Sequence, residues 1–498
     1  MNETRGVRCF PPFAAKPRQA YGYLAATSHR ADSYNAPMTS PPASAEDLFH
    51  RSTRLLQEGD RAGAEAALRE ALRLRPDLAE AHANLGWLLE RDRPEEAETH
   101  YRHAIALQPW QIPIRLNFGA MLARRKRFAE AESAYRRALA IDPDAPDAWS
   151  NLGVLLASTK RERDAEQCYR AALAAEPDHR KARFNLAYLL LRQGRFEEGW
   201  DCLEAREPAV RLAHHLAFPQ WQGEPLDGKS VLIGFEGGYG DMIQFCRYAE
   251  LLKQAGAARV SVLCHPGLRG LFTTLRGADD AFAFDAALPD LGWDYWTLPL
   301  SLPLRFGTQR DSMPARLPYL SADPQRVRRW AEIIGERDGF LRVGLVWKGN
   351  ARHENDADRS LPSLAALAPL AAVPGVRCFS LQKGAGEEEA AAPNPPLPLI
   401  DLGAQLGDFA DTAAALMQLD LLVTVDTAAA HLAGALGRPC WVLLPDYQPD
   451  WRWLTDTDTS PWYPQVMRLF RQKAAGDWDA TIAEVAAALH AFVRPQGR

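Results

Sequence analysis

Nothing in the cysteine pattern points to a cross-linked or metal-stapled fold. The seven cysteines (Cys9, Cys168, Cys202, Cys246, Cys264, Cys378, Cys440) include no C-x-x-C pair and no histidine partner at zinc spacing. This argues against a disulfide framework and against a structural zinc, and a reducing cytoplasm is the expected location. Long apolar runs are missing too. No stretch of about 18 uninterrupted apolar residues occurs, and Arg and Pro interrupt the N-terminus where a signal peptide needs a continuous apolar segment. Neither export nor a membrane span is expected. Excess positive charge is also lacking: 58 Lys and Arg face 63 Asp and Glu, a net charge of -5. No global field is present to hold a polyanion and no basic run supplies a local one, so nucleic acid is not an expected partner.

What is present is apolar enough to fold. Hydrophobic residues make up 47% and charged residues 24% of 498 positions, a composition and length that suit roughly three packed units. Residues 1–44 are the exception. They mix Pro, Ala, Ser and Tyr without a period of 2 or 3.6 and are expected to be disordered. Met38, just before the first periodic segment, is the expected start of the native chain.

From 45 to 206 a repeat dominates. Pro76, Pro109, Pro143 and Pro177 recur at 33, 34 and 34 residues, and Asn84, Asn117, Asn151 and Asn185 keep the same spacings. Ala71, Ala104, Ala138 and Ala172 fill a third column, and Tyr101, Tyr135 and Tyr169 a fourth. Each unit reads as two antiparallel helices. A small residue (Gly86, Gly119, Gly153, Ala187) lets the first helix approach the second, and Pro ends the pair.

After about 225 apolar runs alternate with helical segments, the pattern of parallel sheets covered on both faces. The expected strands are 231–235, 260–263, 343–347, 378–381, 421–425 and 440–444, with helices at 242–254 and 428–436. Residues 225–320 and 340–498 form two doubly wound domains in this reading, joined by a link at 321–339.

Three segments could carry chemistry. Residues 234–241 (GFEGGYGD) form a glycine-rich turn from strand to helix, ending at Gly240 and Asp241. Ile243 stands where a dinucleotide fingerprint needs glycine, so a nicotinamide enzyme is not expected. Asp241 is a helix cap on one reading and a proton acceptor facing a cleft on the other. In the second segment, Asp426, Thr427, Ala428 and Ala429 open a helix whose small side chains leave N–H groups accessible to an anion such as a diphosphate. His431 lies one turn on, either structural or a donor to a ligand. The third is the polar loop after strand 343–347, where Lys348, Asn350, Arg352 and Arg359 supply cations and donors. Asp356 and Asp358, like Asp456 and Asp458, lack further ligands, so no metal is assigned. Trp451, Trp453 and Trp462 are candidates for stacking on a sugar or base, or for packing.

The repeat columns resemble the tetratricopeptide repeat. That resemblance implies an α-helical solenoid of four full repeats and an incomplete fifth, with a surface that holds peptides or partner proteins. Asn84, Asn117, Asn151 and Asn185 would line it as a ladder of amide groups, or simply face solvent. Residues 228–495 resemble the heptosyltransferase-like glycosyltransferases of family 9, through Gly240-Asp241, the run 358–362 (DRSLP) and above all 426–433 (DTAAAHLA). The tail at 445–453 and 460–464 resembles a subgroup in which tetratricopeptide repeats precede this domain.

The resemblance implies an α/β GT-B fold of two Rossmann-like domains and an inverting, metal-independent transfer without cofactor, a nucleotide sugar serving as co-substrate. By position, Asp241 matches the base, and Asp426, Thr427, Ala428, Ala429 and His431 match the donor site. Arg359 replaces the usual Lys at the diphosphate, and Ala428 replaces a Gly. Glu387 or Glu388 matches an acidic contact to the ribose. The expected function is a glycosyltransferase acting on a protein or glycan acceptor, with the repeats recruiting the acceptor or a partner. The rival reading is a non-catalytic repeat scaffold with a decayed transferase domain. Enzymes that attach N-acetylglucosamine to proteins share the architecture, but their motifs are absent.

Overall fold

A computed structural model of the chain describes residues 43–206, 216, 218–289, 291–353 and 355–493. These fall into two compact units, 43–185 and 186–493. The segment 1–44, expected to be disordered, and the start at Met38 lie outside the described residues, except that Ser44 accepts the Asp47 N–H at 3.1 Å and caps the first helix.

The first unit is an α-helical solenoid. Its helices are α1 (Ala45–Glu58), α2 (Arg61–Leu74), α3 (Ala79–Leu89), α4 (Pro94–Leu107), α5 (Ile112–Arg124), α6 (Phe128–Ile141), α7 (Pro146–Ser158) and α8 (Glu162–Ala175). The boundary with the second unit falls inside α9 (Arg180–Arg192), which α10 (Phe196–Leu203) follows. The four column prolines each stand two residues past the last residue of α2, α4, α6 or α8.

The remaining columns are the core. Ala71, Ala104, Ala138 and Ala172 are fully buried, and Tyr101, Tyr135 and Tyr169 are nearly so. Glycine makes room for these rings: a methyl on Gly119 or Gly153 would stand 2.5 Å from Cε1 of Tyr135 or Tyr169. Ion pairs such as Arg69–Glu96 (2.6 Å) and Arg161–Glu132 (2.9 Å) join successive repeats on the surface. Each is worth about 0–1 kcal/mol, less than one buried aromatic at about 1.5–3 kcal/mol, so packing sets the register.

The second unit is α/β. One sheet has the order β3-β2-β1-β4, all parallel, from β1 (Ser230–Ile233), β2 (Arg259–Cys264), β3 (Asp280–Ala283) and β4 (Tyr295–Thr297). The other is six parallel strands in the order β10-β9-β8-β5-β6-β7, from β5 (Leu341–Val346), β6 (Val376–Ser380), β7 (Leu399–Asp401), β8 (Leu421–Val425), β9 (Cys440–Leu444) and β10 (Met467–Arg471). β5, β8 and β9 are buried along their whole length, as parallel strands covered by helices on both faces must be.

The sequence reading omitted β3, β4, β7 and β10, and one expected helix is divided. The expected helix 242–254 is two helices, Tyr239–Phe245 and Tyr248–Gln254. The break comes at Arg247, whose buried guanidinium turns to the carbonyls of Gln244 (2.7 Å) and Trp462 (2.7 Å). The expected link at 321–339 contains a helix, Pro324–Ile334, capped by Asp323.

Candidate active site

In the six-stranded sheet the strand order reverses between β5 and β8, and in the four-stranded sheet between β1 and β4. Open α/β sheets hold ligands at the carboxyl ends of strands at such switch points. The three segments singled out by sequence follow β1, β5 and β8 directly.

The turn after β1 is shaped for Asp241. Gly237 has φ +71°, and a side chain there would collide with the Asp241 carboxylate. That carboxylate reaches back to accept the Gly238 N–H at 2.7 Å. Its other oxygen takes the guanidinium of Arg452, which also holds Asp450 through two bonds of 2.9 and 3.0 Å and Gln244 Oε1 at 2.7 Å. Asp241 is therefore the helix cap, and its side chain stays 25% exposed while pairing with Arg452.

Helix Tyr239–Phe245 packs on helix Ala428–Ala435, and a methyl on Gly240 would stand 2.9 Å from Cδ2 of His431. The structure thus brings Gly240 and Asp241 together with residues 426–431. His431 is buried, accepts or donates a hydrogen bond with the Tyr463 hydroxyl (2.9 Å) and stacks on Trp453 (centroids 5.2 Å). Burial and the Arg452 cation hold its pKa well below the usual value, so the ring is neutral. Its observed partners are packing partners.

Asp426 follows β8 and is half-buried. Burial and then the Asp450 carboxylate raise its pKa to about 6, against the pull of Arg359, the Trp453 N–H and Arg452. Thr427 shares a hydrogen bond with Thr424 (3.0 Å) instead of capping the helix, and the N–H groups of Ala428 and Ala429 have no acceptor among the described residues. Arg359 donates to the Asp426 carbonyl (3.1 Å) and to Asp356 (3.1 Å), which fixes it beside that helix start.

Other expected donor residues are engaged elsewhere. Lys348 pairs with Glu389 at 2.6 Å. Asn350 turns its side chain to the Arg352 N–H (3.0 Å), closing its own loop. Glu387 accepts from Lys383 (3.1 Å) and the Gly384 N–H (2.8 Å), while Glu388 is exposed. Asn185 corrects the amide ladder: it is buried and donates to Ser150 Oγ at 3.5 Å, whereas Asn84, Asn117 and Asn151 are half-exposed. Of the tryptophans left open between stacking on a ligand and packing, Trp451 and Trp462 pack. Both are buried, Trp451 edge-on to Trp200 (5.3 Å) and Trp462 edge-on to Phe245 (5.5 Å).

Sequence reasoning missed Arg452, Asp450, Gln382 and His353. Gln382 is fully buried and accepts the N–H groups of Trp347 and Lys348 (2.9 and 3.0 Å), pinning the loop after β5. Burial and the Arg359 cation lower the His353 pKa to about 4. Arg452 did leave a signal: a lone Arg between Trp451 and Trp453 implies a cation drawn into an aromatic core, and its guanidinium lies 4.5 Å from the Trp451 ring.

Behind the turn, Arg206 is buried and bonds Glu236 at 2.5 Å and Ser301 at 2.6 Å. Burial raises the Glu236 pKa and Arg206 opposes it.

Comparison with known proteins places the N-terminal region in a class. Tetratricopeptide-repeat patterns match residues 51–109, 119–159, 146–179 and 163–199, so the N-terminal region carries tetratricopeptide repeats. Among individual proteins, the chain is 31% identical over 320 residues to Protein FlbA of Caulobacter vibrioides, across 59% of this chain and 52% of that protein. The chain spans about half the length of this curated relative. PilF of Pseudomonas aeruginosa is a structural neighbour at 23% identity and TM-score 0.31, over 34% of this chain and 78% of that one. A tetratricopeptide repeat protein of Thermus thermophilus matches at 21% identity and TM-score 0.30, over 34% of this chain and 96% of its own. Among the described residues no helix is long and apolar enough to cross a membrane.

Proposed function

We propose that the second unit is a glycosyltransferase of GT-B type that moves a sugar from a nucleotide donor to a hydroxyl of a protein or glycan acceptor, with the repeats recruiting that acceptor or a partner. One observation carries the reading: Asp241, from the first sheet, lies in one polar cluster with the open helix start at Ala428 and Ala429, from the second.

In this reading the Asp241 carboxylate takes the proton of the acceptor hydroxyl as the new oxygen–carbon bond forms at the anomeric carbon. The bond to the diphosphate breaks on the opposite face, with inversion, and its electron pair leaves on the phosphate oxygen. The amides of Ala428 and Ala429, the helix dipole and Arg359 stabilise that charge. Lys348 contributes little, since Glu389 already offsets it.

The test is transfer by the full chain with a panel of nucleotide sugars, alongside binding of the matching nucleoside diphosphates. Asp241→Asn is expected to abolish transfer and retain nucleotide binding; undiminished turnover removes Asp241 as the base. A second reading, a non-catalytic scaffold, is favoured by the pairing of both Asp241 oxygens within the protein. A scaffold gains no thermal stability from any nucleotide, whereas the transferase gains about 2.7 kcal/mol at a ligand concentration 100 times Kd.

A further inference from the structure

We propose that the carboxyl edge of the first sheet is a saccharide platform, built from Phe235, Tyr239, His265 and Phe284, that takes the neutral pyranose ring of the acceptor. The word acceptor rests on the transferase reading; the platform itself does not.

Three adjacent strands each deliver a ring just past their last residue. β1 ends at Ile233 and is followed by Phe235, β2 ends at Cys264 and is followed by His265, and β3 ends at Ala283 and is followed by Phe284. Cys264 and Ala283 are paired in register, and the Phe284 N–H donates to the Cys264 carbonyl at 2.9 Å, so neighbouring rings are held side by side. Phe284 stacks on Phe235 with centroids 4.6 Å apart, and Phe235 meets His265 edge-on at 4.5 Å. Tyr239, two residues from Asp241, lies against His265 at 4.4 Å and Phe409 at 4.7 Å.

These rings pack on one another, yet Tyr239 stays 39% exposed and Phe284 44%. Single exposed apolar residues are ordinary, but contiguous aromatic surface at the carboxyl edge of a sheet marks binding.

The polar groups among the rings narrow the ligand. The His265 Nε2–H donates to the Gly237 carbonyl at 3.1 Å, which leaves Nδ1 as an acceptor. Burial lowers the His265 pKa, so the ring is neutral. The Tyr239 hydroxyl has no partner among the described residues. The set is therefore flat apolar faces with hydroxyl-bonding atoms at their edge, and none of its members is Lys or Arg. A pyranose matches it, with one C–H face to cover a ring and hydroxyls around its rim. A phosphate finds no cation in the set, and an aliphatic peptide side chain leaves the Nδ1 and hydroxyl unmatched.

The experiment uses the full chain, with saturation-transfer NMR and calorimetry on three probe sets: methyl pyranosides of glucose, mannose and N-acetylglucosamine; Ser- and Thr-containing peptides; and nucleoside diphosphates. At least one pyranoside is expected to bind, and Phe284→Ala and Tyr239→Ala each to weaken it about tenfold. Both rings also pack on neighbours, so the unfolding midpoints of the variants should fall modestly, while a retained cooperative transition and unchanged nucleotide binding show that the fold is kept. Pyranoside affinity equal in parent and both variants overturns the platform. So does the absence of any pyranoside binding, or a peptide being the ligand that the variants lose. Loss of pyranoside binding in a chain that binds no nucleotide supports the platform and defeats the transferase reading.

Discussion

Arg452→Met isolates the electrostatics that hold the Asp241–Asp450 cluster. The guanidinium is 7% exposed, holds Asp450 at 2.9 and 3.0 Å, bonds Gln244 and pairs with Asp241. Burial alone lowers its pKa, but the Asp450 and Asp241 carboxylates more than offset this and keep it charged. Methionine keeps much of the side-chain volume over Trp451, so the loss is chiefly of charge and hydrogen bonds. Removing one partner of a buried pair costs about 3–5 kcal/mol. The Asp241 and Asp450 side chains retain 25% and 22% exposure, so water takes up part of the orphaned charge, and about 3 kcal/mol is expected. The assay is urea unfolding of the full chain followed by tryptophan fluorescence, with Trp451 and Trp453 flanking the change. Adding Asp241→Asn and Asp450→Asn removes the orphaned carboxylates and should recover at least half of the loss. A cost below about 1 kcal/mol for Arg452→Met, or no recovery in the triple variant, refutes the argument.

Gly240→Ala sets two effects against each other. Alanine gains about 1 kcal/mol of helix propensity, while its methyl meets a His431 ring that Tyr463 and Trp453 hold in place, an overpacking of about 1–3 kcal/mol. A lower melting temperature is expected, and a higher one would show that the ring yields. Gly153→Ala repeats the contest against the buried Tyr169 ring and should also destabilise, read by helix circular dichroism. For Asp426 the folded pKa is raised, so the folded state binds the proton more tightly and stability falls as pH rises from about 4 to about 6. Asp426→Asn should then be more stable than the parent at pH 7.5, the gap closing toward pH 4; a constant gap excludes the linkage. His431 runs the other way. Its folded pKa is depressed, so stability is lost as pH falls below about 6.5, and His431→Asn should flatten that acid slope in unfolding measured from pH 7 to pH 5.

The repeats were legible because four independent columns carry one period, and each column has a steric cause: Gly153 must face Tyr169, and Ala172 has no room to grow. β8 and β9 were legible to the residue because a strand buried on both faces has to be an unbroken apolar run. β3 (DAFA), β4 (YWT) and β7 (LID) were not, since three or four residues hold at most two periods of a strand alternation. The break at Arg247 was equally hidden. Arg247 bonds the carbonyl of Trp462, 215 residues away, as well as that of Gln244, and local propensity carries no record of the distant partner.

The same distinction applies to the site. Asp241 and residues 426–429 were visible as strand-to-helix turns with small side chains, a local signature. The charge balance around them was not, because Asp450 caps and Arg452 sits in a single 3-10 turn, Trp451–Trp453, too short to carry a period. That balance changes how the proposed diphosphate would be held. Arg359 is shared with Asp356, Arg452 with Asp241 and Asp450, and Lys348 with Glu389. A donor arriving among these groups meets cations whose charge is already offset, so free positive charge supplies little of its affinity. The uncompensated groups are the amides of Ala428 and Ala429, which no side chain caps among the described residues. Salt should therefore weaken nucleotide binding only modestly, whereas a proline at position 429, which removes one of those N–H groups and tolerates the first turn of a helix, should weaken it strongly.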